Sequence, residues 1–204
     1  LYFVLSYGAF LERQDETEKA AKLYEFYHRT HLYQAHVSAA QERLKTGEKP
    51  PIQESPRAAM AEAFMALGEA MRGEERIDLA LGYLRLAQHL DGDNELIAFG
   101  VAELLGARER FVAAAEQFAA IETDALLYDD AQIQRAQMLF EVGASEAAIA
   151  VLNKQLKAQP DNRDLLISLG DLYRAETRFA EAEKSYDDAI ALIDKASARD
   201  WHLY

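Results

Sequence analysis

Apolar side chains recur at steps of three and four along most of the chain. Between 178 and 193, Phe179, Ala182, Tyr186, Ala189, Ile190 and Ile193 share one helical face. No stretch alternates apolar and polar residues with Val, Ile and Thr enrichment, so no strand is predicted. Alanine supplies 37 of the 204 residues and proline only four, a composition of helix formers. The pattern predicts an all-α chain.

The helical pattern repeats. Gly68, Ala102, Ala136 and Gly170 are spaced by 34 residues. Ala80, Ala114, Ala148 and Ala182 keep the same step, as do Leu84, Phe118, Leu152 and Tyr186, and Met71, Leu105, Leu139 and Tyr173. Small residues in two columns and large apolar ones in two others describe pairs of helices. The small positions let helix A approach helix B, and the large ones fill the space between neighbouring pairs. Breaks fall where such hairpins need them: Gly73, Gly106 or Ala107, and Gly143 near the A-to-B turns, Asp91-Gly92-Asp93-Asn94 and Pro160-Asp161-Asn162 between pairs.

Period and columns together resemble the tetratricopeptide repeat (TPR) family. Leu166-x-x-Leu169-Gly170-x-x-Tyr173 followed by Ala182-x-x-x-Tyr186-x-x-Ala189 matches its pattern best. Phe64-x-x-Leu67-Gly68-x-x-Met71 with Ala80-x-x-x-Leu84-x-x-Ala87 follows. The unit from 129 departs from it, with Gln132 and Arg135 where the family has apolar groups. A first unit carries Gly8, Leu11, Ala20, Tyr24 and Tyr27. Gly8 precedes Gly68 by 60 residues, which implies an insertion of 26. The insertion reads as a helix over about 34–46 and a loop from Thr46 through Pro50-Pro51 and Pro56. The expected organisation is a TPR-like unit at 1–33, an extra helix and proline-containing linker at 34–60, four units at 61–196, and the start of a further repeat at 197–204, where Trp201 takes the large aromatic position. The resemblance implies a right-handed α-solenoid of five units. The chain reads as the middle of a longer bacterial repeat protein. By analogy with such proteins its setting is periplasmic or envelope-associated, with a cytoplasmic one left open.

Charge narrows the function. Residues 1–60 hold 8 Lys and Arg against 8 Asp and Glu, whereas 61–204 hold 14 against 27, so the net charge of −13 lies entirely in the regular repeats. That balance argues against nucleic acid or an anionic membrane surface as a partner. No apolar run reaches the length of a spanning helix. The absence of cysteine removes disulfides, thiolate metal sites and cysteine nucleophiles. There is no Gly-rich phosphate loop, His-Glu-x-x-His or Gly-x-Ser-x-Gly. His28, His31 and His36 form the one histidine cluster, at a helix end, and read as a partly solvated trio rather than metal ligands. Asp91-Gly92-Asp93-Asn94 lacks the spacing of a calcium loop and reads as a helix-capping turn. No catalytic residue, metal or cofactor is expected.

In TPR arrays the A helices line the concave side. The resemblance points the fifth residue of each unit inward: Leu5, Met65, Phe99, Ile133 and Ile167. The ninth residues are Ala9, Glu69, Glu103, Gln137 and Asp171, and acidic second residues are Glu62, Asp130 and Asp164. An apolar row flanked by acids suits a protein or peptide segment with apolar anchors and Lys or Arg between them. Family members that grip acidic tails carry Lys, Arg and Asn at these positions, so an acidic ligand is disfavoured. A competing reading has the apolar row packing against helix B and the acids merely solubilising the surface. Self-association through the chain ends, a spacer role, and recruitment of substrate for a separate catalytic domain are the alternative functions.

Overall fold

The computed structural model describes residues 2–30, 35–50 and 55–200. Among these, all regular structure is helical: α1 (Tyr2–Arg13), α2 (Thr17–Thr30), α3 (Ala35–Thr46), α4 (Pro56–Gly73), α5 (Ile77–Leu90), α6 (Glu95–Ala107), α7 (Phe111–Ala119), α8 (Tyr128–Glu141), α9 (Ser145–Ala158), α10 (Arg163–Ala175) and α11 (Phe179–Asp200). Helix α3 lies in the insertion. The expected onset of a further repeat at 197–204 coincides with the last turn of α11 and otherwise lies outside the described residues, as does His31.

The chain divides into two compact bodies, Leu1–Arg108 with Ile121–Tyr128, and Glu109–Ala120 with Asp129–Tyr204. In the first, α1 packs on α2, α4 on α5 and α5 on α6, while α3 packs on both α2 and α1. Leu11, Ala20, Tyr24, Tyr27, Val37 and Ala40 form a core beneath α1, α2 and α3. In the second, Ala136, Ala148, Ile149, Leu152, Leu165, Leu169 and Leu172 join α8, α9 and α10.

The small-residue column is a packing requirement. A Cβ on Gly8 would lie 2.2 Å from the Tyr24 hydroxyl oxygen, and one on Gly170 2.6 Å from Tyr186 Cε1. On Gly68 it would meet Leu84 at 3.0 Å and the Ala80 carbonyl at 3.2 Å. Helix B leans so closely on helix A that a hydrogen is all that fits opposite a ring.

Of the glycines that signal the A-to-B turns in the sequence, Gly143 alone takes the left-handed conformation. Positive φ occurs at Asp15 (61°), Glu75 (60°), Glu109 (57°), Gly143 (77°) and Thr177 (59°), one position in the repeat. Only Gly143 adopts it without steric cost. Gly73 closes α4 two residues before the left-handed Glu75. Between hairpins, Asn94 accepts from the amides of Leu96 and Ile97 and caps α6, and Asn162 does the same for Asp164 and Leu165 of α10. The Asn94 amide also donates to Asp91 Oδ2 at 2.9 Å, so the acidic turn serves helix initiation. Arg57 donates to the Leu90 and His89 carbonyls at 2.8 and 2.9 Å, satisfying orphan groups at the end of α5.

In α8, Gln132 is buried and its Oε1 accepts from Arg135 Nη1 at 3.2 Å. The two polar residues that break the family pattern thus answer each other on one helix.

Candidate functional site

The A-helix positions singled out in the sequence do not form a uniformly open surface. Met65 on α4 and Phe99 on α6 are each 4% exposed and belong to the core. Leu5 on α1 is half-buried against the Leu11–Tyr24 core, and Ile133 on α8 is half-buried against that of the second body. Ile167 on α10 is open, at 39%.

Around Met65 and Phe99 the acids are engaged within the chain. Arg72, one turn after Glu69, donates from Nη1 to Glu103 Oε2 at 2.8 Å and from Nη2 to Glu69 Oε2. Burial pushes the Glu103 carboxyl up. The Arg72 charge opposes this and the Glu69 charge reinforces it, leaving Glu103 above its ordinary value. Tyr27 on α2 is raised too, first by burial and then by the Glu103 charge. The three charged groups sum to one net negative charge where the acids alone would give two.

On α10 the acids face solvent. Asp171 accepts from the Tyr186 hydroxyl at 2.7 Å and pairs with Arg174 at 3.5 Å. Asp164 lies one turn before Ile167 and is exposed. On α8, Gln137 is exposed and donates to Glu141 at 2.8 Å.

Two contacts, one buried and one half-buried, have no counterpart in the sequence reading. The Glu12 side chain on α1, only 2% exposed as a residue, accepts from the Tyr24 hydroxyl at 2.7 Å and from Arg43 of α3 at 2.7 and 3.2 Å. Lys49 adds bonds to the Glu12 carbonyl at 3.1 Å and to Asp15. The insertion is thereby clamped to the first hairpin. His36 Nε2 of α3 lies 3.1 Å from Glu95 Oε1 at the start of α6, and Glu95 Oε2 accepts from the Leu127 amide at 2.8 Å. Burial pushes Glu95 up, but His36 and the Leu127 and Leu126 amides outweigh it and hold the carboxyl below its usual value. Arg72 had a visible signal, three residues after Glu69 on a helix. The partners of Glu12 and Glu95 come from other elements and had none.

Among the described residues no group of His, Asp or Glu is placed to hold a metal ion. No helix described is long and apolar enough to cross a membrane.

No family model matches the chain, and no curated protein matches it by sequence. Solved structures do. MamA is similar with a TM-score of 0.58 at 17% identity, over 94% of this chain and 96% of MamA. PilF of Pseudomonas aeruginosa gives 0.57 at 15% identity, over 92% of this chain and 74% of its own. YrrB, described as a TPR protein with an unusual peptide-binding site, gives 0.55 at 15% identity, over 93% and 84%. The chain therefore has the all-α TPR solenoid fold that its 34-residue period implies.

Proposed function

We propose that this TPR fold serves as a non-catalytic scaffold. In this reading it binds a protein or peptide segment along its A helices and prefers apolar anchors separated by Lys or Arg. The observation that carries the reading is on α10. An exposed isoleucine, Ile167, stands between two exposed carboxylates, Asp164 one turn before it and Asp171 one turn after, each with an arginine of the same helix (Arg163 and Arg174) at 3.5 Å that a basic ligand must displace. An apolar contact flanked by carboxylates in long, solvent-exposed ion pairs can exchange those partners for the Lys or Arg of an apolar-basic segment. Ile133 and Gln137 hold the corresponding positions on α8. In the first body Met65 and Phe99 are core residues, Leu5 is half-buried and Glu69 and Glu103 are tied by Arg72, so the contact surface is assigned to α10. The peptide-binding site described for YrrB supports a peptide as the ligand type.

The test is a panel of synthetic peptides with Leu or Ile anchors and either Lys/Arg or Asp/Glu spacers, titrated by fluorescence anisotropy. Basic peptides should bind, and acidic ones of equal length should not. Affinity should fall on raising the salt from about 0.1 to 1 M, where the Debye length shrinks from about 10 to 3 Å. The D164K/I167D double variant should abolish binding while leaving helicity intact, since both positions are exposed. Binding that ignores this double change would remove α10 as the site.

A further inference from the structure

In a stacked repeat array each unit touches only its nearest neighbours. The first three helices depart from that rule. His36 of α3 places Nε2 3.1 Å from Glu95 Oε1 at the start of α6, beyond the whole α4–α5 hairpin. Tyr27 of α2 is raised by its burial, and after burial the charges that act on its hydroxyl are those of Glu103 on α6, then Arg72 and Glu69 on α4. Helix α1 touches α4 as well. The block of α1, α2 and α3 therefore reaches the A-helix face of two successive units.

That face is closed where its counterpart in the second body is open. Each body holds two regular A helices, α4 and α6 in the first, α8 and α10 in the second. In the fifth register Met65 and Phe99 are each 4% exposed, whereas Ile133 is half-buried and Ile167 is 39% exposed. In the ninth register the Glu69 and Glu103 side chains are 12% and 29% exposed, against 55% for Asp171. Repeat packing alone leaves this row partly open, so the additional cover over α4 and α6 comes from the block that reaches them.

The block can leave as a unit. Its core of Leu11, Ala20, Tyr24, Tyr27, Val37 and Ala40 is drawn from α1, α2 and α3. The Glu12–Arg43 and Asp15–Lys49 pairs close it on itself. Its tie to α6 is a partly exposed contact between an imidazole and a carboxylate, and contacts of that kind hold weakly.

We infer that α1–α3 is a detachable cover over the A-helix face of α4 and α6, an intramolecular occupant that an apolar-basic ligand displaces to reach Met65, Phe99, Glu69 and Glu103. The inference rests on the A helices being the contact surface. The cover's own chemistry is of the same kind, since it brings an aromatic ring, Tyr27, and an imidazole, His36, to an acidic face. The chain thus carries one standing site on α10 and one covered site on α4 and α6.

The chain has no cysteine, so H36C/E95C supplies its only two thiols. A bismaleimide with a disulfide in its spacer should join them within one chain, and reduction of the spacer then releases the cover in the same molecules. The released chain should bind about threefold more of the apolar dye ANS than the tethered one, at equal helicity. H36A, which leaves Glu95 its bond to the Leu127 amide, should raise dye binding in the unaltered chain. A second pair of samples adds D164K/I167D to remove the α10 surface. In that background a peptide with Leu anchors and Lys spacers should bind the released chain and not the tethered one. Thiols that fail to join within one chain, equal dye binding in tethered and released chains, or an unmoved signal in H36A would overturn the cover. A gain in dye binding without a gain in peptide binding keeps the cover and removes the apolar-basic ligand from this face. A peptide that fails on α10 of the unaltered chain refutes the proposed function and leaves the dye comparison standing.

Discussion

Replacing Gly8 by alanine tests the tight approach between helix A and helix B most severely. Taken as an isolated helix position, the change should stabilise, because alanine is favoured over glycine by about 1 kcal/mol. The tertiary contact reverses the sign. The new Cβ would lie 2.2, 2.3 and 2.4 Å from the hydroxyl oxygen, Cζ and Cε1 of Tyr24. That ring cannot swing aside, because Tyr24 is fully buried and its hydroxyl donates to Glu12 at 2.7 Å. Overpacking of this kind costs about 1–3 kcal/mol. Pulling the phenol from a carboxylate in a buried site adds about 1.5–3 kcal/mol. After the propensity gain, a net loss of about 3 kcal/mol is expected, equivalent to roughly 100-fold in the local opening equilibrium. Repeat arrays open locally, so the loss should concentrate in the first hairpin. Hydrogen exchange read by mass spectrometry should show protection in α1 and α2 falling about 100-fold, with α10 and α11 unchanged. Adding Tyr24→Leu should restore part of it, because the Ala136 and Leu152 pair occupies the same register in the second body's core. Exchange in α1 slowed by Gly8→Ala would refute the argument and leave helix propensity as the ruling effect.

Three further outcomes follow from other contacts. Arg43→Met should cost about 2–3 kcal/mol in urea denaturation, less than a fully buried pair because Arg43 is partly exposed, by leaving the Glu12 carboxylate buried without its cation. A much smaller loss would mean that Tyr24 alone suffices. Glu95 is held below the ordinary carboxylate value, so its contribution to stability is present above that ordinary value and lost as the pH falls through the lowered one. Glu95→Gln should flatten the acid limb of the melting midpoint measured between about pH 3 and 6, and an unchanged limb would assign acid sensitivity elsewhere. Thr177 is β-branched at φ 59°, so Thr177→Gly should raise stability by about 1 kcal/mol, in contrast to glycine substitutions inside helices. A lower melting midpoint would show that the turn holds its conformation without strain.

Helical class, the 34-residue period and the small-residue columns are properties of spacing along the chain. They were legible in the sequence because one hairpin is a local object. Gly8, Gly68 and Gly170 meet the helix that follows them within the same repeat. Asn94 and Asn162 act on amides two and three residues away, and their capping role is equally local. The insertion betrayed itself by breaking the period.

What faces solvent was decided by the tertiary structure. Met65, Phe99 and Ile167 occupy one register, yet two are buried and one is open, because exposure depends on which neighbours arrive over a helix and not on its own periodicity. Glu69 and Glu103 read as free acids until Arg72 is seen to join helices α4 and α6. Glu12 with Arg43, and Glu95 with His36, pair residues from separate elements, and such pairings leave no mark on local pattern. The turns show the same division from the other side. Glycines near the A-to-B breaks announced that the chain must turn, while backbone closure between packed helices put the left-handed conformation on Asp15, Glu75, Glu109 and Thr177. Sequence periodicity sets which face of each helix is apolar, and the packing of one helix on the next determines whether that face becomes core or surface.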